Sequence, residues 1–169
     1  MQCLRMSSTQ VHTNAFQAMM NLARDDDNTF TKLGACEVLL EKLPDASISD
    51  SNLLGAMLDC MYALGLQNRE RQKKLEAAKA LLIEILFRQY EDKEIHKKTV
   101  IIASLLAYTT DDMPSFRPLV RVIYAYFERM PVPQVGRHDP HAVDVRRVCI
   151  ALMMRYNMIE TPPTAPETE

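Results

Sequence analysis

His138-Asp139-Pro140-His141 is the one histidine cluster in the chain, and the chemistry it offers is metal binding. Zinc sites of the protease type set two histidines four residues apart on one helix face, and structural zinc sites recruit cysteine. This cluster has neither. It reads as a loop in which Asp139 caps a helix that begins at Pro140. Asp25-Asp26-Asp27-Asn28 offers carboxylates to calcium. A calcium loop needs glycine at its sixth position and glutamate at its twelfth, and both are missing, so the run reads as a solvated turn. His12 and His96 stand alone in the sequence. No nucleophile elbow, phosphate-binding loop or kinase signature occurs. The expectation is no catalytic residue, no metal ligand and no cofactor.

Basic residues offer a second kind of chemistry. Arg69, Arg71, Lys73 and Lys74, with Lys93, Lys97 and Lys98, would make a patch for acidic peptides, phosphorylated motifs or RNA backbone. Glu70, Glu91, Asp92 and Glu94 interrupt it, which favours ordinary solvated helix surface. Arg146-Arg147 with Arg155 share one side of the last helix and form another candidate. Lys and Arg number 20 against 22 Asp and Glu, a net charge of −2, which disfavours a general nucleic-acid binder. The charge is unevenly spread: residues 1–66 carry −4, residues 67–158 carry +5 and residues 159–169 carry −3.

The 169 residues must position these groups with only four glycines, too few for nucleotide-binding loops or hairpin-rich sheets. The four cysteines (Cys3, Cys36, Cys60, Cys149) are dispersed, and the last three fall in apolar helical patterns. That suits a reducing compartment rather than a disulfide framework. The N-terminus lacks the apolar run of a signal peptide, and no stretch reaches membrane-spanning length. The expected location is cytoplasmic or nuclear.

Apolar positions recur with helical period throughout. Val11, Ala15, Ala18, Met19 and Leu22 predict a helix over Thr9–Ala23. Leu33, Cys36, Leu39, Leu40 and Leu43 predict one over 30–43, followed by a loop from Pro44 to Asp50. Leu54, Met57, Leu58, Met61 and Leu64 predict a helix over 51–64, with Asp50 or Ser51 as its N-cap and Gly65 as a left-handed C-cap. A long helix over 68–90 buries Leu75, Ala78, Leu82 and Ile85; the next, over 93–108, buries Val100, Ile101 and Leu105, with Ala103 and Leu106 as further inward candidates. Helices over 115–129 and 140–158 follow, the last burying Val145, Val148, Cys149, Leu152 and Met153. Tyr124, Tyr126 and Phe127 cannot all face one core, so one of them is expected at the surface. Met20, Met154 and Met158 fall off the inward faces and would line a groove. Residues 159–169, rich in Pro, Thr and Glu, read as a disordered tail after a helical domain over 9–158 and a short segment 1–8.

These helices repeat. Lys32-Leu33-Gly34-Ala35-Cys36 lies over Lys74-Leu75-Glu76-Ala77-Ala78 at an offset of 42 residues, and Met19 and Leu22 map to Met61 and Leu64. A period slightly above 40 residues is that of stacked helical repeats. The unit Ala15 to Leu43 resembles an armadillo repeat: Ala15-Phe16-Gln17-Ala18-Met19-Met20-Asn21-Leu22-Ala23, an Asp-Asn turn, Leu33-Gly34-Ala35-Cys36, then Leu39-Leu40-Glu41-Lys42-Leu43. The resemblance implies an all-α, right-handed solenoid of three to four repeats, with Gly34 at the bend before the second helix of its unit. It departs from the family at Glu76, where the bend glycine is missing. It departs again at Ala63 and Leu105, which replace the asparagine that Asn21 supplies in the first unit. The asparagine ladder that pins extended peptides is therefore absent.

The resemblance implies a non-enzymatic scaffold whose concave face binds a segment of a protein partner. Asn21, Arg24, Tyr62, Lys97, Lys98, Arg146 and Arg147 are the candidate partner-binding residues. The alternatives are a structural or regulatory subunit docked by its uncapped ends in a larger assembly, with self-association, and an RNA- or phosphate-binding repeat.

Overall fold

The computed structural model describes residues 9–23, 34–66, 68–88, 92–129 and 140–158, and every regular element among them is helical. They are α1 (Thr9–Ala23), α2 (Ala35–Ser49), α3 (Ser51–Gly65), α4 (Arg69–Leu75), a 3-10 turn (Glu76–Ala78), α5 (Lys79–Arg88), α6 (Lys93–Thr109), α7 (Met113–Arg129) and α8 (Pro140–Arg155). Counting α4 and α5 as one rod gives seven helices. Arg24, the Asp25–Asn28 run, residues 30–33 and the 159–169 tail lie outside the described residues, as do the side chains of the His138 to His141 cluster.

Short polar side chains start the helices. Asp50 Oδ1 accepts from the amides of Asn52 and Leu53 at 2.8 and 3.1 Å. Asn68 caps α4 through the amide of Arg71, and Asp92 caps α6 through those of Glu94 and Ile95. Each cap satisfies donors that a helix N-terminus otherwise leaves open. Helix α8 begins at Pro140 as its sequence demands. It ends in a Schellman turn: Asn157 takes φ 53°, Asn157 N donates to Met154 O, and Met158 N to Met153 O. The helix therefore stops at Arg155 and falls short of Met158.

Helix α3 is the hub, with eleven buried residues out of fifteen. It packs against α1, α2, α4 and α6. The inward set Leu54, Met57, Leu58, Met61 and Leu64 is fully buried, as expected. Helices α1, α3, α6 and α8 contact one another in that order, while α2 meets α4 and α5 meets α7. The two ranks share one continuous apolar core.

Several expectations require correction. Helix α2 runs through Pro44 to Ser49, where the sequence predicts a loop. Proline removes one hydrogen bond there, but Leu43 beside it is fully buried and holds the helix against the core. Gly65 is a buried helical residue, not a left-handed cap; Gly34, at φ 65°, is the one described glycine in that region. The C-terminus of α3 is closed instead by Gln72, whose Nε2 donates to Gly65 O at 2.7 Å. The helix predicted over 68–90 is interrupted by the 3-10 turn at Glu76, the position that matches Gly34 at the 42-residue offset. On α1, among the described side chains, Thr13, Phe16 and Met19 are buried, Val11 and Ala15 are half-buried and Ala18 is exposed; the side chain of Leu22 lies outside the described residues. The bulkier Phe16 sets the phase of the helix, since its burial removes far more apolar area than an alanine's. Helix α7 starts at Met113 rather than Ser115, with Asp112 Oδ1 accepting from the Ser115 amide at 3.3 Å.

Cys36, Cys60 and Cys149 are free and buried. Burial pushes the Cys60 thiol up to about 12 and Cys149 up to about 11 from the ordinary 9.0. A thiol whose folded pKa is raised stabilises the fold fully below pH 9 and stops doing so as pH climbs through the folded value. Stability is thus expected to fall from pH 9 upward. In a Cys3→Ser variant at pH 8, a disulfide reagent should react with no thiol until denaturant exposes all three. Rapid reaction of the native protein would contradict this burial.

Candidate interaction groove

Helices α3, α6 and α8 enclose an apolar cleft of about 290 Å3. Tyr62 and Leu66, four apart, come from the end of α3. Ile101, Ser104, Leu105 and Tyr108 form one stripe of α6, and Val148 and Ala151 one stripe of α8. Tyr62, Leu66, Tyr108 and Val148 are 38, 42, 50 and 39% exposed, and all four belong to this cleft. Among the described residues the other exposed large hydrophobic is Phe87, in a separate depression beside His96 and Tyr126. Scattered apolar side chains at a surface need no explanation, whereas four converging from three helices form one contiguous apolar surface.

Ile101, Leu105 and Val148 were expected in the core, and the structure places them in this cleft, half-buried or exposed. Val100, Ala103 and Leu106 are buried as expected, and Ile95, Thr99, Ile102 and Ala107 complete the inward face of α6. This helix is packed by α3, α5, α7 and α8, so its apolar residues extend around most of the circumference. The Ser104 hydroxyl is buried with no hydrogen-bond partner among the described residues. At one end of the cleft the Arg155 guanidinium lies 5.3 Å over the Tyr108 ring and donates to Thr110 O at 3.1 Å.

Of the candidate residues, Tyr62 lines the cleft. Lys97 stands one turn before Ile101 on α6, and Arg147 one turn before Ala151 on α8, which puts both at the opposite end from Arg155. Lys98 Nζ donates to Asp59 Oδ2 at 2.7 Å and is neutralised within the chain. Arg146 turns the other way and stacks 4.6 Å over Phe127 of α7. Asn21 is exposed on α1, outside the cleft. Sequence reasoning missed Leu66, Tyr108 and Ala151; the available signal was that Tyr62, Leu66 and Tyr108 fall off the inward stripes of their helices.

The basic patch weighed over residues 69–98, which the interspersed acids disfavoured, loses several of its members to partners or burial. Arg69 Nη2 donates to Asp111 at 2.6 Å and Lys74 Nζ to Glu37 at 2.8 Å, while Arg71 is 1% exposed. The Lys74 ammonium holds the Glu37 carboxyl below its usual range. Tyr124, Tyr126 and Phe127 of α7 are half-buried, each with a partner inside the chain: His96 lies 4.3 Å from the Tyr126 ring, Arg146 covers Phe127, and the Tyr124 hydroxyl bonds Glu128. Burial depresses the His96 pKa. Met20 and Met158 pack on the core and Met154 is half-buried; the cleft is lined by none of them. Among the described residues no group of His, Cys, Asp and Glu is placed to hold a metal ion, and no helix is long and apolar enough to cross a membrane.

Compared with known proteins, the chain matches no family model, no curated protein and no solved structure.

Proposed function

We propose that this chain is a non-enzymatic scaffold, a right-handed armadillo-like solenoid of three to four repeats that holds a segment of a partner protein between α3, α6 and α8. The observation that carries the reading is the cleft itself, where four of the exposed large hydrophobics converge. Two further facts support it. Helices α1, α3 and α6, related by the 42-residue offset, pack in sequence, and α8 follows them. Positions matched by that offset share burial: Met19, Met61 and Ala103 are all inside, as are Leu64 and Leu106. A linear stack of this kind presents one helix of each unit along a common face. The cytoplasm or nucleus is the setting that suits its free thiols. The RNA-binding alternative loses its support once Arg69, Lys74 and Lys98 are paired with acids.

A random peptide library displayed on phage and selected on the full chain tests this. Binders are expected to lose about tenfold or more in affinity on Val148→Glu, because an apolar anchor site is replaced by a charge. Val148 is 39% exposed, so the thermal melt should stay unchanged. Failure to enrich any peptide, or binders indifferent to both Val148→Glu and Tyr108→Glu, would remove the groove from consideration.

A further inference from the structure

The geometry points to an amphipathic α-helix, with acidic residues flanking its apolar stripe, as the occupant of this groove. The inference rests on the scaffold reading and specifies the chemistry of the partner. A segment that enters an apolar cleft must satisfy its own backbone amides and carbonyls. An extended segment does so by pairing with a strand edge or with amide side chains of its host. All three walls here are helices, whose backbone groups bond within themselves. The positions that match Asn21 are Ala63, buried, and Leu105, apolar. The wall's side-chain hydroxyls are those of Tyr62, Ser104 and Tyr108, and that of Ser104 is buried. Such a groove has too few donors and acceptors to pin an extended chain. A helix arrives with its backbone bonds already made and needs only apolar contact.

The dimensions agree. Ile101 and Tyr108 are seven positions apart on α6, about 10 Å, which is two turns of a docked helix and accommodates anchors at i, i+3 or i+4, and i+7. The charges at the ends fix the flanks. Lys97 and Arg147 stand at one end with no acid bonded to them among the described residues, and Arg155 stands at the other. The nearest acid on α3, Asp59, is already bonded to Lys98. The rim is therefore positive, and carboxylates on the incoming helix complement it.

The test uses three fluorescein-labelled 18-residue peptides and the full chain, read by fluorescence anisotropy. One has leucines at i, i+3, i+4 and i+7 with glutamates beside them. The second has the same composition with leucine and glutamate alternating, so that its apolar face forms only when extended. The third is the first with lysine for glutamate. The first is expected to bind, and to gain helical circular dichroism on binding. Val148→Glu should weaken it about tenfold. The double variant Lys97→Glu, Arg147→Glu should weaken it several-fold and strengthen the lysine peptide, with both effects shrinking at high salt. Preference for the alternating peptide, or equal binding of the acidic and basic helices, would overturn the inference and leave the scaffold reading intact. If none of the three binds, the phage-selected peptides decide: groove binders that stay non-helical overturn the inference alone. The absence of any groove binder overturns both.

Discussion

Arg71→Ala is expected to cost about 3–5 kcal/mol, the range for removing one partner of a buried charged contact. Arg71 heads the largest fully buried side chains, at 1% exposure, on the short helix α4 that packs against α2, α3 and α6. Arg71 is not without partners, and its charge is felt at Cys36. A guanidinium tolerates burial only when its donors are satisfied. Truncation therefore does two things at once: it opens a cavity, and it leaves the groups that faced the guanidinium without it. At roughly 2–4 °C per kcal/mol for a chain of this length, the melting temperature should fall by roughly 10 °C. Arg71→Met keeps the volume and should lose less than Arg71→Ala. Lys73→Ala, two residues away and exposed, should stay within about 0.5 kcal/mol of the parent. Urea unfolding of the four proteins checks the order. A loss below about 1 kcal/mol for Arg71→Ala would show that the buried guanidinium contributes nothing net, as some buried ion pairs do.

Arg71 also shows where the sequence stops being readable. Placed among Arg69, Glu70, Lys73 and Lys74, it looks like one more solvated charge, and residue type alone gives no reason to bury it. Its burial is decided by α2, more than twenty residues earlier. Gln72, which closes the end of α3 through Gly65 O, is hidden for the same reason. Features set by adjacent residues were legible: the start of α8 at Pro140 and the Asp50 cap follow from local pattern. On α3 the apolar stripe was also correct, because so much of that helix is buried that any apolar stripe lies inside. Helix α6 defeated the same logic. It is apolar around most of its surface, so periodicity could not say which apolar residues face other helices and which face a cleft. Ile101 and Leu105 were misplaced there, and with them the site. That Tyr62, Lys97 and Arg147 stand off the inward stripes was legible, since a bulky or charged residue opposite such a stripe has to face outward. The inference that Asn21 marks the binding face came from a repeat pattern, and the cleft lies further along the stack, between α3 and α8.

The second large effect concerns how the helices share stability. Leu58 is fully buried in the middle of α3, and Leu58→Ala is expected to cost about 2–5 kcal/mol through lost transfer energy and a residual cavity. What distinguishes it from other core truncations is where the loss is felt. Helix α3 touches α1, α2, α4 and α6, whereas α7 packs mainly on α5, α6 and α8. In a linear stack, stability is close to a sum of unit and nearest-neighbour terms, so damage to one unit weakens its neighbours most. Amide exchange in Leu58→Ala should therefore accelerate most in α3 and its direct neighbours α1, α2, α4 and α6, and least in α7 and α8. In a single all-or-none core, every slow amide would accelerate by the same factor, since all would exchange through one global opening. Exchange measured peptide by peptide separates these outcomes. A graded loss along the chain is what the proposed solenoid requires. A uniform loss would mean that the two ranks of helices unfold as one body and that the 42-residue period has no energetic counterpart. The groove makes the distinction matter for function. It draws its walls from three successive helices of one rank, α3, α6 and α8, so a graded chain would let α8 loosen while α3 and α6 hold. Val148 and Ala151 would then be the wall that yields when a partner helix enters.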